Sequence, residues 1–180
     1  MDKTTQQYDT VKSICRDLFS KKMKDYGTAW RILRPKSVTD QIYIKAQRIR
    51  SIEEKGVNKV SEDACSEFIG IINYAIMGLI QLELGPTGIE LSAEQTMELY
   101  DKYFTQANLL MQDKNHDYGE AWRNMRISSY TDLILMKINR TKQIENNQGI
   151  TLASEGINAN YLDMINYAVF AMIKIEFENN

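Results

Sequence analysis

The peptide KMKDYGTAWR at Lys22–Arg31 returns as KNHDYGEAWR at Lys114–Arg123, and this internal repetition constrains the fold more than any other feature of the chain. Tyr118 stands 92 positions after Tyr26. The same offset pairs Tyr8-Asp9 with Tyr100-Asp101, Arg34 with Arg126, Thr39-Asp40 with Thr131-Asp132, Lys45 with Lys137, Arg48 with Arg140 and Glu53 with Glu145. One added residue makes the offset 93, which pairs Ser61-Glu62 with Ser154-Glu155 and INYA at Ile72–Ala75 with INYA at Ile165–Ala168. The unit is longer than most solenoid repeats and occurs twice, so the expected product is a pseudo-twofold bundle rather than an extended array.

The only prolines are Pro35 and Pro86, and helical spacing of apolar residues recurs where no strand-like alternation is sustained. The pattern predicts an all-α fold: a six-helix bundle from two tandem three-helix repeats, 1–88 and 89–180, packed as one unit. In the first repeat a helix over 4–25 ends at Gly27, a second is capped by Ser37 or Thr39 and runs to Glu54, and Ser61 caps a third. The second repeat is expected to place helices over 93–116, 130–147 and 154–178, with Ser92 and Gln95 forming a capping box at the first.

A hydrophobic fraction of 43% in 180 residues is enough for a sizeable core. The net charge of -2 argues against non-specific binding to nucleic-acid backbones. The N-terminus lacks the apolar core of a signal peptide, and Cys15 and Cys65 suggest no disulfide framework, so a cytoplasmic location is expected. The apolar run Phe68–Ile80 contains Asn73 and falls short of the about 20 residues of a membrane span, so no membrane partner is expected, while a homo-oligomer is compatible. P-loop, GxGxxG, HExxH and paired CxxC motifs are missing.

Lys137, Arg140 and Ile144 fall on one helical stripe, which Lys45, Arg48 and Ile52 reproduce. Cations beside an apolar face need a carboxylate or an anionic ligand, and phosphate is the ligand expected; internal salt bridges are the alternative. Glu155, Asp163 and Asn166 share a face of the last predicted helix, whereas the first repeat has Glu62, Gly70 and Asn73 there. Such oxygen donors suit Mg²⁺, so the second repeat is expected to form the more complete site. Tyr26, Trp30, Tyr118 and Trp122 either stack on a base or anchor their loops to the core. His116 answers to Lys24 in the first repeat, which argues against a catalytic histidine.

The repeated KxxDYGxAWR peptide, the TD-x₄-K-x₂-R helix and the Glu…NYA helix together resemble the nucleotide-modification-associated domain of the first type, in two tandem copies over nearly the whole chain. The resemblance implies a role in systems that modify nucleotides or DNA bases. The helical plan is also similar to all-α NTP pyrophosphatases of the MazG-like kind, which hold Mg²⁺ with ExxE and ExxD pairs. This chain departs from that spacing, since eight residues separate Glu155 from Asp163.

The expectation is therefore a nucleotide-binding protein of nucleotide or DNA-base modification systems. It is expected to bind its ligand, help to modify it, or hydrolyse it as a Mg²⁺-dependent nucleoside triphosphate pyrophosphohydrolase, the competing class being a non-catalytic helical interaction module with repeated internal salt bridges. Lys114, Asp117, Tyr118, Trp122, Arg123, Arg126, Lys137, Arg140 and Asn166 form the candidate substrate-binding set. Lys22, Asp25, Tyr26, Trp30, Arg31, Arg34, Lys45, Arg48 and Asn73 are their first-repeat equivalents. Glu155 and Asp163 are the candidate catalytic residues, with Glu145, Glu155 and Asp163 as Mg²⁺ ligands and Glu53 and Glu62 as weaker counterparts.

Overall fold

The computed structural model describes residues 1–56 and 60–178, and the side chains of these except at 60–63. Helix α1, Lys3–Tyr26, starts where the Asp2 carboxylate accepts from the Thr5 amide at 2.7 Å and stops at Gly27. Its repeat, α4, Ala93–Tyr118, starts where Ser92 Oγ accepts from the Gln95 amide at 3.1 Å and stops at Gly119. Both stops need φ near +65° (68° and 64°), which glycine reaches without a Cβ clash. Single 3₁₀ turns, Ala29–Ile32 and Ala121–Asn124, then turn Trp30 and Trp122 into the core.

Helix α2, Pro35–Glu54, begins earlier than expected, because Pro35 occupies the first turn, where its missing N–H costs nothing. Arg34 is the capping position, so Ser37 and Thr39 are helical residues and not caps. Helix α5, Ile127–Asn146, likewise starts three residues before the expected Tyr130. Helix α3 is Val60–Leu84, and the expected Ser61 cap and the Glu62 ligand fall on side chains outside the described residues. Helix α6, Ile157–Phe177, is capped at Gly156, so Ser154 and Glu155 precede it.

Helices α3 and α6 pack on each other at the centre. Helix α2 lies against α3, α5 against α6, α2 and α5 meet along a seam, and α1 and α4 lie across both central helices. The segment Ala64–Leu84 is long and apolar enough to cross a membrane by length and composition, and most of it is buried within this bundle.

Reciprocal contacts express the pseudo-twofold relation. Tyr8 Oη donates to Asn166 Oδ1 at 2.8 Å, and Tyr100 Oη donates to Asn73 Oδ1 at 2.8 Å. Each amide nitrogen turns back to its own repeat, Asn73 Nδ2 to the Cys15 carbonyl and Asn166 Nδ2 to the Ala107 carbonyl. At the α2–α5 seam Thr39 donates to Glu145 at 3.0 Å and Thr131 to Glu53 at 2.7 Å. Arg50 pairs with Asp132 and Lys142 with Asp40. A patch that meets its own copy in this way is the interface of a twofold dimer, written here into one chain.

Candidate functional site

Each repeat encloses a cavity between the end of its first helix, its Trp turn and its third helix. The first, about 130 Å³, is lined by Phe19, Lys22, Tyr26, Trp30, Lys45, Gly70, Asn73, Tyr74 and Met77. The second, about 150 Å³, is lined by the equivalents Met111, Lys114, Tyr118, Trp122, Asp163, Asn166, Tyr167 and Phe170. The glycine stop makes both possible, since it ends the helix and lets the tryptophan fold under it. Among the described residues the segment between the repeats ties down the Trp turn of the first repeat alone: Glu90 accepts from the Thr28 amide at 3.1 Å, and the Leu91 amide donates to Thr28 Oγ1.

Their electrostatics differ by the place of one carboxylate. In the second cavity the buried Asp163 takes Lys114 Nζ on one oxygen and Lys137 Nζ on the other, both at 2.8 Å. Burial is the largest single influence and works against the charge of Lys114, but the hydrogen bond to Asp163 and the attraction of Asp163, Tyr167 and Glu155 together outweigh it and hold the ammonium above its ordinary pKa. In the first cavity Gly70 stands in that position. The balancing carboxylate is Glu67, one turn earlier on α3, which pairs with Arg48 at 2.5 Å and with Lys45 at 3.6 Å. Among the described residues Lys22 has no carboxylate partner, and Lys45 Nζ lies 5.6 Å from the centre of the Tyr74 ring.

The expected Mg²⁺ ligands do not assemble. Among the described residues no three His, Cys, Asp or Glu side chains converge. Glu145 and Glu53 face the α2–α5 seam, where Thr39 and Thr131 hold them, and Glu155 is exposed ahead of α6, where helical geometry does not apply. Both oxygens of Asp163 already meet ammonium groups, so the donor set does not fit a divalent cation.

Several candidate binding residues are likewise spent on the fold. Arg123 reaches Glu120, Glu178, Thr4 and Gln7, while its guanidinium covers one face of Trp122 at 4.4 Å. Phe170 stacks on Trp122 at 4.2 Å and 8°, so this ring is an anchor with no face left for a base. Arg31 is buried against Gln81. Asn73 and Asn166 border the cavities but are taken by the reciprocal ties. Arg34, Arg126, Asp25 and Asp117 are exposed and line neither cavity, and Asp117 pairs with His116.

Lys137 faces Asp163 across the second and third helices, as its stripe predicts, whereas Arg140 is exposed and lines a separate surface hollow with Ile144. Sequence reasoning passed over Tyr74 and Tyr167, although the repeated INYA peptide contains both. Helix α3 also turns Glu67, which no repeated peptide contains, toward Lys45 and Arg48.

No curated protein and no solved structure matches the chain, so the similarity to MazG-like pyrophosphatases finds no counterpart there. A family model described as nucleotide modification associated domain 1 matches residues 22–82 and again residues 114–175. Those two matches cover well over half of the sequence and coincide with the two cavity-bearing repeats, and the chain therefore belongs to the nucleotide modification associated domain 1 family, as two tandem copies.

Proposed function

We propose that this chain binds a nucleotide or a related phosphorylated small molecule in the cavity of its first repeat. The observation that carries this reading is a pair of lysines, Lys22 and Lys45, on the wall of an aromatic cavity that no carboxylate among the described residues lines. Two ammonium groups facing one space suit a phosphoryl group, and Phe19, Trp30, Tyr74 and Met77 supply the apolar surface that a sugar or base covers. At about 130 Å³ the cavity is smaller than the roughly 300 Å³ usual for a ligand pocket, so it encloses one end of the ligand and leaves the rest over Tyr26 at the rim. The family description supports a nucleotide over other phosphorylated compounds. With no converging carboxylates among the described residues, the proposal is binding, with no step through a protein-held metal.

Thermal unfolding with a panel of canonical and base-modified nucleoside mono- and triphosphates tests it. A ligand at 100 times its dissociation constant adds about 2.7 kcal/mol to stability. The gain should vanish in a folded Lys22→Met, Lys45→Met variant. A specific observation favours a second reading, a helical interaction module: most repeated polar residues, among them Asn73, Asn166, Glu53 and Glu145, pair within the chain. A panel with no stabilising member would select that reading.

A further inference from the structure

On and around the cavity-bearing helices the two repeats carry matching cations and one carboxylate at different places. The first repeat has Lys22, Lys45, Arg48 and Glu67; the second has Lys114, Lys137, Arg140 and Asp163. Position 67 answers to Asn160 and position 163 to Gly70, so the carboxylate has moved one helical turn, from behind the first cavity to the wall of the second. There its two oxygens hold two lysine ammonium groups at 2.8 Å, the separation a phosphate oxygen would take.

We infer that Asp163 is a built-in occupant of the second cavity, so that the chain carries one open anion site and one closed by its own carboxylate. This rests on the reading of the first cavity as a phosphate site. The space at Gly70 fits the inference. A Cβ built there would lie 2.6 Å from Cδ and Cε of Lys45, so the lysine stem fills the place that the Asp163 side chain occupies in the other repeat. The three nearest atoms all belong to the flexible end of Lys45, which can swing aside toward a carboxylate introduced at 70.

The test is an exchange of the two residues, read by calorimetric titration with inorganic pyrophosphate, which has the anionic chemistry of a nucleotide without a base. The parent should take one pyrophosphate per chain. Asp163→Gly, and Asp163→Asn as the variant that keeps the side-chain shape, should take two, and adding Lys114→Met should remove the second. Gly70→Asp should weaken the first site at least tenfold while remaining folded, since it replaces a glycine inside a helix with a better helix former. Circular dichroism checks each fold.

A folded Asp163 variant that still takes one overturns the inference, as does a parent that takes two. If both Asp163 variants unfold, Gly70→Asp decides alone, and parent-like binding by it overturns the inference. A parent that takes none, or one whose binding survives Lys22→Met, defeats the proposed function itself.

Discussion

The two cavities share a lysine and a tyrosine of the first helix, the tryptophan of the turn and an Asn-Tyr pair of the third helix, yet one wall carries Lys45 and Gly70 where the other carries Asp163. Away from the cavities the repeats match closely: the Tyr-Asn, Thr-Glu and Asp-cation ties recur with the same residue types, but for Arg50 against Lys142. The contrast separates residues that join the halves from residues that face a cavity. A tie that must serve both directions of a pseudo-twofold tolerates little asymmetry, because each change leaves a partner in the opposite half unpaired. A cavity wall answers to its own repeat alone, and there Phe19 and Met77 give way to Met111 and Phe170.

The ties should show the largest effect and the least difference between repeats. Asn166→Ala leaves the buried Tyr8 Oη without its partner and removes the side-chain bond to the Ala107 carbonyl, which keeps its bond within α4, and Asn73→Ala does the same to Tyr100 Oη and to the Cys15 carbonyl within α1. One orphaned buried hydroxyl at about 1–3 kcal/mol, one lost side-chain bond at about 1 kcal/mol and the void left by the amide put the cost at about 4 kcal/mol in either case, measurable by urea unfolding. A gap between the two variants well beyond about 1 kcal/mol would break the equivalence of the halves.

The cavity carboxylates should differ more. Taken as an exposed ligand, Asp163 predicts a variant that melts like the parent; buried between two lysines, it predicts that Asp163→Asn costs about 3 kcal/mol. Glu67→Gln, whose partner Arg48 is half exposed, should cost about 1 kcal/mol in the same denaturant series. Equal losses would mean that the carboxylate does the same work in both places.

The smallest effect belongs to the seam and depends on pH. Burial raises the pKa of both Glu53 and Glu145, although the Thr131 and Thr39 hydroxyls partly oppose it. A carboxyl whose folded pKa lies above its unfolded value supports the fold when protonated, and this support fades as pH rises from the ordinary value of about 4.3 through the raised one. Glu53→Gln and Glu145→Gln should therefore melt slightly above the parent at neutral pH and level with it below pH 4, by equal amounts. Thermal melts across that range would expose a seam that is not symmetric.

The duplication, the all-α class, the two glycine helix stops and the Ser92 cap were legible in the residues alone, because repeated peptides, apolar spacing and backbone conformation are local properties. Helix starts were less legible: Pro35 opened α2 ahead of the hydroxyl residues, and Gly156 displaced Ser154. The partners of the charges were decided only by the tertiary structure. Helical spacing placed Lys137 beside the core and left open which carboxylate meets it. The seam sent Glu53 and Glu145 across to the opposite repeat, and a one-turn shift put Asp163, and not Glu67, on a cavity wall. The physical reason is that a side chain's direction follows from its own helix, whereas its neighbour depends on how six helices pack, and no run of residues in this chain encodes that alone.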